Sequence, residues 1–350
     1  MGRLMDAPPN GALAPRDPGP EPIGAIGAPR GVEQAGTGPS YAGNPWRGAL
    51  AYTVLVILFG AVVRITGSGA GCGQHWPTCQ GEVAHLPRTV ETVIELTHRV
   101  TSGLSMLVVF GVAVYTLRRV PRGHIARSAA LAACVLMIVE ALIGAALVLL
   151  RYVGHNDSVG RAVIMAVHLV NTLGLTAAMA FSACSFSWKL ERVEWRTREA
   201  AWLFLGALGI VVVSAAGAVT ALGDTLYPLE GVGAANALEA AGDQSQHFLE
   251  RLRGVHPVLA VVVSGFLLAL GPRIAERAPS QAAALAEAWP TRIVALVVMQ
   301  LALGVVNVWL SAPGWMQVVH LLAALLLWLA WVSLAFAVLG RAGQSSPNAS

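Results

Sequence analysis

Eight runs of roughly 20 apolar residues, each long enough to cross the hydrocarbon core of a bilayer as a helix, divide this 350-residue chain. They lie near 48–66, 93–117, 128–150, 161–187, 199–221, 254–271, 292–311 and 316–339. With 55% hydrophobic and only 12% charged residues and a mean hydropathy of +0.63, the chain falls outside the soluble range. The expected fold is an all-α integral membrane protein with eight transmembrane helices. Residues 1–45 are rich in Pro, Gly and Ala and hold no apolar run, so they read as a disordered tail and not as a cleaved signal peptide. The first span is then an uncleaved anchor.

Orientation follows from basic residues in short loops, which stay on the cytoplasmic side. Arg118, Arg119, Arg122 and Arg127 follow the second span, and Lys189, Arg192, Arg196 and Arg198 follow the fourth. Arg273, Arg277 and Arg292 flank the sixth connection. These loops are expected to be cytoplasmic, with both termini inside. The net charge of +4 is explained by this topology and gives no support for nucleic-acid binding.

His98, His168, His256 and His320 sit one apiece in the second, fourth, sixth and eighth spans, near the end where each enters the membrane. An ionisable residue inside a membrane is a functional-site hypothesis by default. All four should lie at similar depth near the outer face. His75, His85, His155, His247 and His124 fall in loops, where a solvated surface role is expected.

A weak internal repeat sorts the four into pairs. Ile65-Thr66-Gly67-Ser68-Gly69 matches Val219-Thr220-Ala221-Leu222-Gly223, and Glu140-Ala141-Leu142-Ile143-Gly144 matches Gln300-Leu301-Ala302-Leu303-Gly304. His98 then corresponds to His256, and His168 to His320. The expected plan is a cytoplasmic tail at 1–45, a four-helix bundle at 46–190, a second at 191–340 and a cytoplasmic tail at 341–350. Two imidazoles on facing helices of a bundle suit axial ligation of a haem. Zinc fits less well, because two histidines leave further ligands unassigned.

The halves are unequal. Glu95 stands three residues before His98, and Arg253 three before His256, so each shares a helix face with its histidine. Glu95 is a candidate for proton transfer or an ion-pair partner of Arg99. Arg251 and Arg253 in the second half, and Arg64 and Arg99 in the first, are candidates for haem propionates through guanidinium geometry. Glu140 lies deeper, with either a hydrogen-bonded structural role or a relay role. Cys72 and Cys79 bracket the loop after the first span, where a disulfide, a metal site with His75 or an exchanging redox pair are open readings. Cys134 and Cys184 read as small apolar residues.

Arg64-Ile65-Thr66-Gly67-Ser68-Gly69, the Cys72 to Cys79 loop with Trp76-Pro77, and Glu95-Leu96-Thr97-His98-Arg99 together resemble the haem A synthase family, over roughly residues 48–340. The resemblance implies oxidation of the C8 methyl group of haem O to a formyl group through hydroxylated intermediates, giving haem A for cytochrome oxidase in the cell membrane. It implies that His98 and His168 hold the substrate haem, that His256 and His320 are axial ligands of haem b, and that Glu95 is the catalytic acid or base. It also implies a Cys72–Cys79 disulfide. A homo-oligomer and a complex with the haem O synthase that supplies the substrate are compatible with it, and no residue identifies the electron acceptor. Two other classes compete. A b-type electron carrier explains the histidines but not Glu95 in one half only, and a transporter would use the repeat but lacks spans broken by paired Gly and Pro.

Overall fold

The computed structural model describes residues 43–228, 247–277 and 288–343. The expected tails at 1–45 and 341–350 lie almost wholly outside them. Among the described residues, eight helices are long and apolar enough to cross a membrane: α1 (Pro45–Ile65), α2 (Val90–Arg119), α3 (Ile125–Leu149), α4 (Val159–Trp188), α5 (Arg198–Leu226), α6 (Phe248–Ala275), α7 (Trp289–Trp309) and α8 (Gly314–Leu339). The chain is a multi-pass membrane protein.

Local chemistry sets the helix ends. Thr89, Ser158 and Thr197 cap α2, α4 and α5 by accepting from the backbone N–H groups of Thr92, Arg161 and Ala200, which satisfies donors that a helix start leaves unpaired. Pro45 and Pro290 stand in the first turns of α1 and α7, where the missing N–H costs nothing. His124 caps α3 through Nδ1, which accepts from Ala126 N–H, and is only 8% exposed. His247 caps the first turn of α6 in a reciprocal arrangement with Glu250. Both were expected on the solvated surface. Their ring nitrogens instead substitute for the Ser, Thr or Asp usual at a cap.

The first four helices pack on one another, α1 against α2 and α4 and α3 against α2 and α4; in the second four, α5 packs on α6 and α8, and α7 on α6 and α8. Contacts of α4 with α5 and α8, and of α1 with α8, join the two sets. The described helices belong to one compact unit. α8 is the most enclosed, with 61% of its apolar window buried against 39% for α4, the next. Two indoles fix it there, Trp328 Nε1 donating to Leu173 O of α4 and Trp331 Nε1 to Leu203 O of α5, both at 2.9 Å. At the arginine-rich end a two-residue strand β1 (Arg192–Val193) pairs antiparallel with β2 (Gly340–Arg341). The α4–α5 connection is thereby tied to the end of α8.

Candidate functional site

His98, His168, His256 and His320 all lie within about three turns of the starts of α2, α4, α6 and α8. They therefore gather toward the end of the molecule that carries the Cys72–Cys79 loop. The imidazoles of His256 and His320 face one another with ring centroids 6.3 Å apart and planes 85° apart. His98 and His168 lie within electrostatic reach of each other. All four are half-buried.

Glycine makes room for three of these rings. A Cβ at Gly60 would lie 3.1 Å from His98 Cε1, one at Gly217 2.9 Å from His256 Cε1, and one at Gly304 3.4 Å from His320 Cε1. Gly60 and Gly217 thus occupy matching places on α1 and α5. These two glycines stand three residues out of step with the expected Thr66 with Thr220 match.

A bis-histidine haem needs an open imidazole nitrogen on each of two facing rings. In the second pair, His256 Nδ1 donates to Val213 O at 3.0 Å, leaving Nε2 free, the outer hydrogen bond that commonly orients a metal-binding imidazole. His320 Nε2 meets the Gln300 amide at 3.1 Å while Nδ1 has no partner among the described residues. With metal–imidazole bonds of about 2 Å, the spacing of the rings admits one ion between them once the Gln300 amide or the His320 ring turns. In the first pair His98 Nδ1 is a buried orphan, and His168 Nδ1 has only Glu140 Oε1 at 3.6 Å. The donor sets fit haem in both halves. Among the described residues no cluster of three or more His, Cys, Asp or Glu offers another metal site.

Around the first pair, Glu95 is 3% exposed and fully engaged. Its Oε2 accepts from Cys72 N–H at 2.7 Å and its Oε1 from the Arg99 guanidinium. Arg99 also donates to His75 O and Thr78 O, both at 2.6 Å. Cys72 and Cys79 form a disulfide, so the Glu95–Arg99 pair clamps the closed loop onto α2. Gly71 permits the contact, since a Cβ there would lie 2.5 Å from the Glu91 backbone.

The other arginines are also placed. Arg64 reaches across to the second half, donating to Ala221 O at 2.7 Å, to Thr225 Oγ1 and to Gln317 Oε1 at 2.9 Å. Gln317 lies one turn before His320. Arg253, 5% exposed, pairs with Asp224 at 2.9 Å and donates to Gly223 O and Tyr227 O. Arg251 stays exposed, beside Gly254, Val255 and Val258 on an open, shallow surface. Sequence reasoning passed over Asp224, Gln317, Asn171, Asp157 and Tyr227. A polar residue inside or at the edge of an apolar run is the signal that could have marked the first three. Asp157 accepts from the Tyr227 hydroxyl at 2.6 Å; the bond holds the carboxyl below its usual range and pushes the phenol up to about 12. Tyr227 in turn stacks on His247, ring centroids 5.0 Å apart.

Eight helices long and apolar enough to cross a membrane, four of them carrying a histidine toward one end, define a polytopic membrane protein. A family model described as cytochrome oxidase assembly protein matches residues 46–332, and the chain belongs to that family. It is 45% identical over 305 residues, 87% of its length, to a Thermus thermophilus protein named protoheme IX farnesyltransferase, of which it covers 49%. It is 37% identical over 134 residues to heme A synthase of Shouchella clausii, 38% of each chain. Heme A synthase of Alkalihalophilus pseudofirmus is 33% identical over 134 residues, 38% of this chain and 42% of that one. The chain spans about half the length of the Thermus relative.

Proposed function

We propose that this protein is a haem A synthase, oxidising the C8 methyl group of haem O to a formyl group to give haem A for cytochrome oxidase. The observation that carries the reading is the pair of facing imidazoles of His256 and His320 in a half that repeats the His98 and His168 half with different neighbours. Family membership and the similarity to heme A synthases support it. The similarity to a protein named for farnesyl transfer supports a farnesylated haem as substrate and a farnesyl-transferring enzyme as its source.

His98 and His168 hold the substrate, and His256 and His320 hold a resident haem b. Bound there, that haem supplies one-electron redox chemistry. Arg251, an exposed guanidinium in the first turn of α6, is a group available for a propionate. Glu95 is the acid–base residue for the substrate methyl, its carboxyl kept from water by the Cys72–Cys79 loop and oriented by Arg99. The chain sits in the cell membrane with the arginine-rich end cytoplasmic and the disulfide outside, where oxidised cysteines persist.

Pigments extracted from purified protein made in cells with and without a haem O source test the assignment. A synthase yields haem O, its oxidised products or haem A in the first case; haem b alone in both would overturn it. That second outcome belongs to an electron carrier, a reading favoured by the complete pairing of Glu95 with Arg99 and Cys72 N–H. Glu95→Gln separates the roles further. It keeps an oxygen for Cys72 N–H, so bound haem b should stay at wild-type level while haem A formation stops.

A further inference from the structure

The repeat places Glu140 of α3 and Gln300 of α7 at the same station, each against the histidine of the following helix. Glu140 Oε1 lies 3.6 Å from His168 Nδ1. Gln300 Nε2 lies 3.1 Å from His320 Nε2. The two side chains differ in more than their terminal atom. Glu140 Oε2 accepts from Asn171 Nδ2 and Oε1 accepts from Thr172 Oγ1, and Asn171 Nδ2 also donates to Leu136 O at 2.9 Å, one turn before Glu140. Both donors come from the helix that carries His168, three and four residues after it. The corresponding positions after His320 are Ala323 and Ala324, and Gln300 Oε1 has no partner among the described residues. Three side chains therefore change together between the halves: a carboxyl and two donors in one, an amide and two methyl groups in the other. A half-buried carboxyl in an apolar span is costly unless it is hydrogen-bonded. The Asn171 and Thr172 donors meet that need, and Oε1, which accepts from Thr172, also faces the imidazole at 3.6 Å.

We propose that Glu140 is a positioning residue for His168. It draws the Nδ1 edge of the ring toward α3, so that Nε2 presents to a haem iron, and its acceptor oxygen makes the imidazole a stronger electron donor than the amide-faced His320. Outer partners of metal-binding histidines act in this way, raising ligand basicity and tuning potential. The haem held by His98 and His168 is then harder to reduce than the haem held by His256 and His320. The inference rests on the assignment of the four histidines as haem ligands.

Its test is optical redox titration of the full-length protein loaded with iron protoporphyrin IX, compared with Glu140→Gln, which copies the second half. The variant should keep both haems and raise the first-half midpoint by a roughly tenfold change in the reduction equilibrium, about 59 mV for one electron, with the second-half midpoint unmoved. The reciprocal Gln300→Glu should lower the second-half midpoint alone. Titration in a His320→Ala background, which leaves only the first site loaded, assigns the midpoints. A first-half midpoint unchanged in Glu140→Gln, in protein where His168→Ala loses that haem, overturns the proposal alone. Full haem content and an unchanged spectrum in His168→Ala overturn the ligand assignment and the proposal with it.

Discussion

Gly217 leaves no space for a methyl group, because its added Cβ would stand 2.9 Å from the His256 ring. Gly217→Ala must push the imidazole off its bond to Val213 O, and loss of such an outer contact typically costs about 10–100-fold in metal affinity. Haem content by pyridine haemochrome should fall accordingly. Gly144→Ala, a position with nothing within 4 Å, is the control and should retain full content. His256→Ala and His320→Ala should each abolish the low-spin b-type signal of the second-half haem, since removing one axial ligand changes spin state; an intact second-half signal in either variant would show that the pair is not the ligand set. The histidines themselves were legible in the sequence, as ionisable groups in apolar runs. Gly60 and Gly217, which meet two of the rings, were not, because which residue meets a ring depends on helix rotation and crossing, and neither is encoded in local spacing.

At the scale of elements, α5 and α8 touch where the Trp331 indole crosses Gly206, whose added Cβ would fall inside the contact distance of the ring. Gly206→Ala overpacks this joint, at about 1–3 kcal/mol, and should lower the thermal midpoint of detergent-solubilised protein. The start of α3 gives a pH dependence. Burial draws the His124 imidazole below its ordinary value, an effect only partly opposed by Glu191, so the unfolded chain takes up a proton before the folded one does. Stability is full above the ordinary imidazole range near pH 6.5 and falls as pH drops through it toward the lowered folded value. The neutral ring accepts from Ala126 N–H; the protonated ring cannot. His124→Asn, which keeps a capping oxygen, should flatten the decline between about pH 7 and 5 in melting curves, and an identical slope would exclude this cap as its source. The span limits were readable to within six residues from apolar length, the largest misses being the end of α5 and the start of α6. The caps at His124 and His247 were not, because histidine is an uncommon cap and its role depends on how the preceding loop turns.

Among the described residues, Arg64 joins the two halves by three side-chain hydrogen bonds. Arg64 leaves α1 of the first half and is satisfied by α5 and α8 of the second. Removing it strands the Gln317 side chain one turn from His320. Arg64→Ala should therefore disturb the spectrum of the haem at His256 and His320, although the residue belongs to the other half, and should lower stability by about 1–3 kcal/mol through buried groups left unpaired. A change confined to the first-half haem would argue against this coupling. The repeat in the sequence made two stations visible. It could not reveal that Arg64 joins the stations, since residues so far apart along the chain meet only through packing.

By itself the sequence determined the membrane class, the eight spans, the four histidines and their pairing, because apolar length and the cost of ionisable groups in lipid are local properties of the chain. Only the tertiary structure decided what those residues face. It set the Glu95–Arg99 clamp on the disulfide loop, the turn of His168 toward Glu140 with its Asn171 and Thr172 donors, and the reach of Arg64 into the second half. Each depends on the rotation of one helix against another, fixed where glycines and indoles interlock.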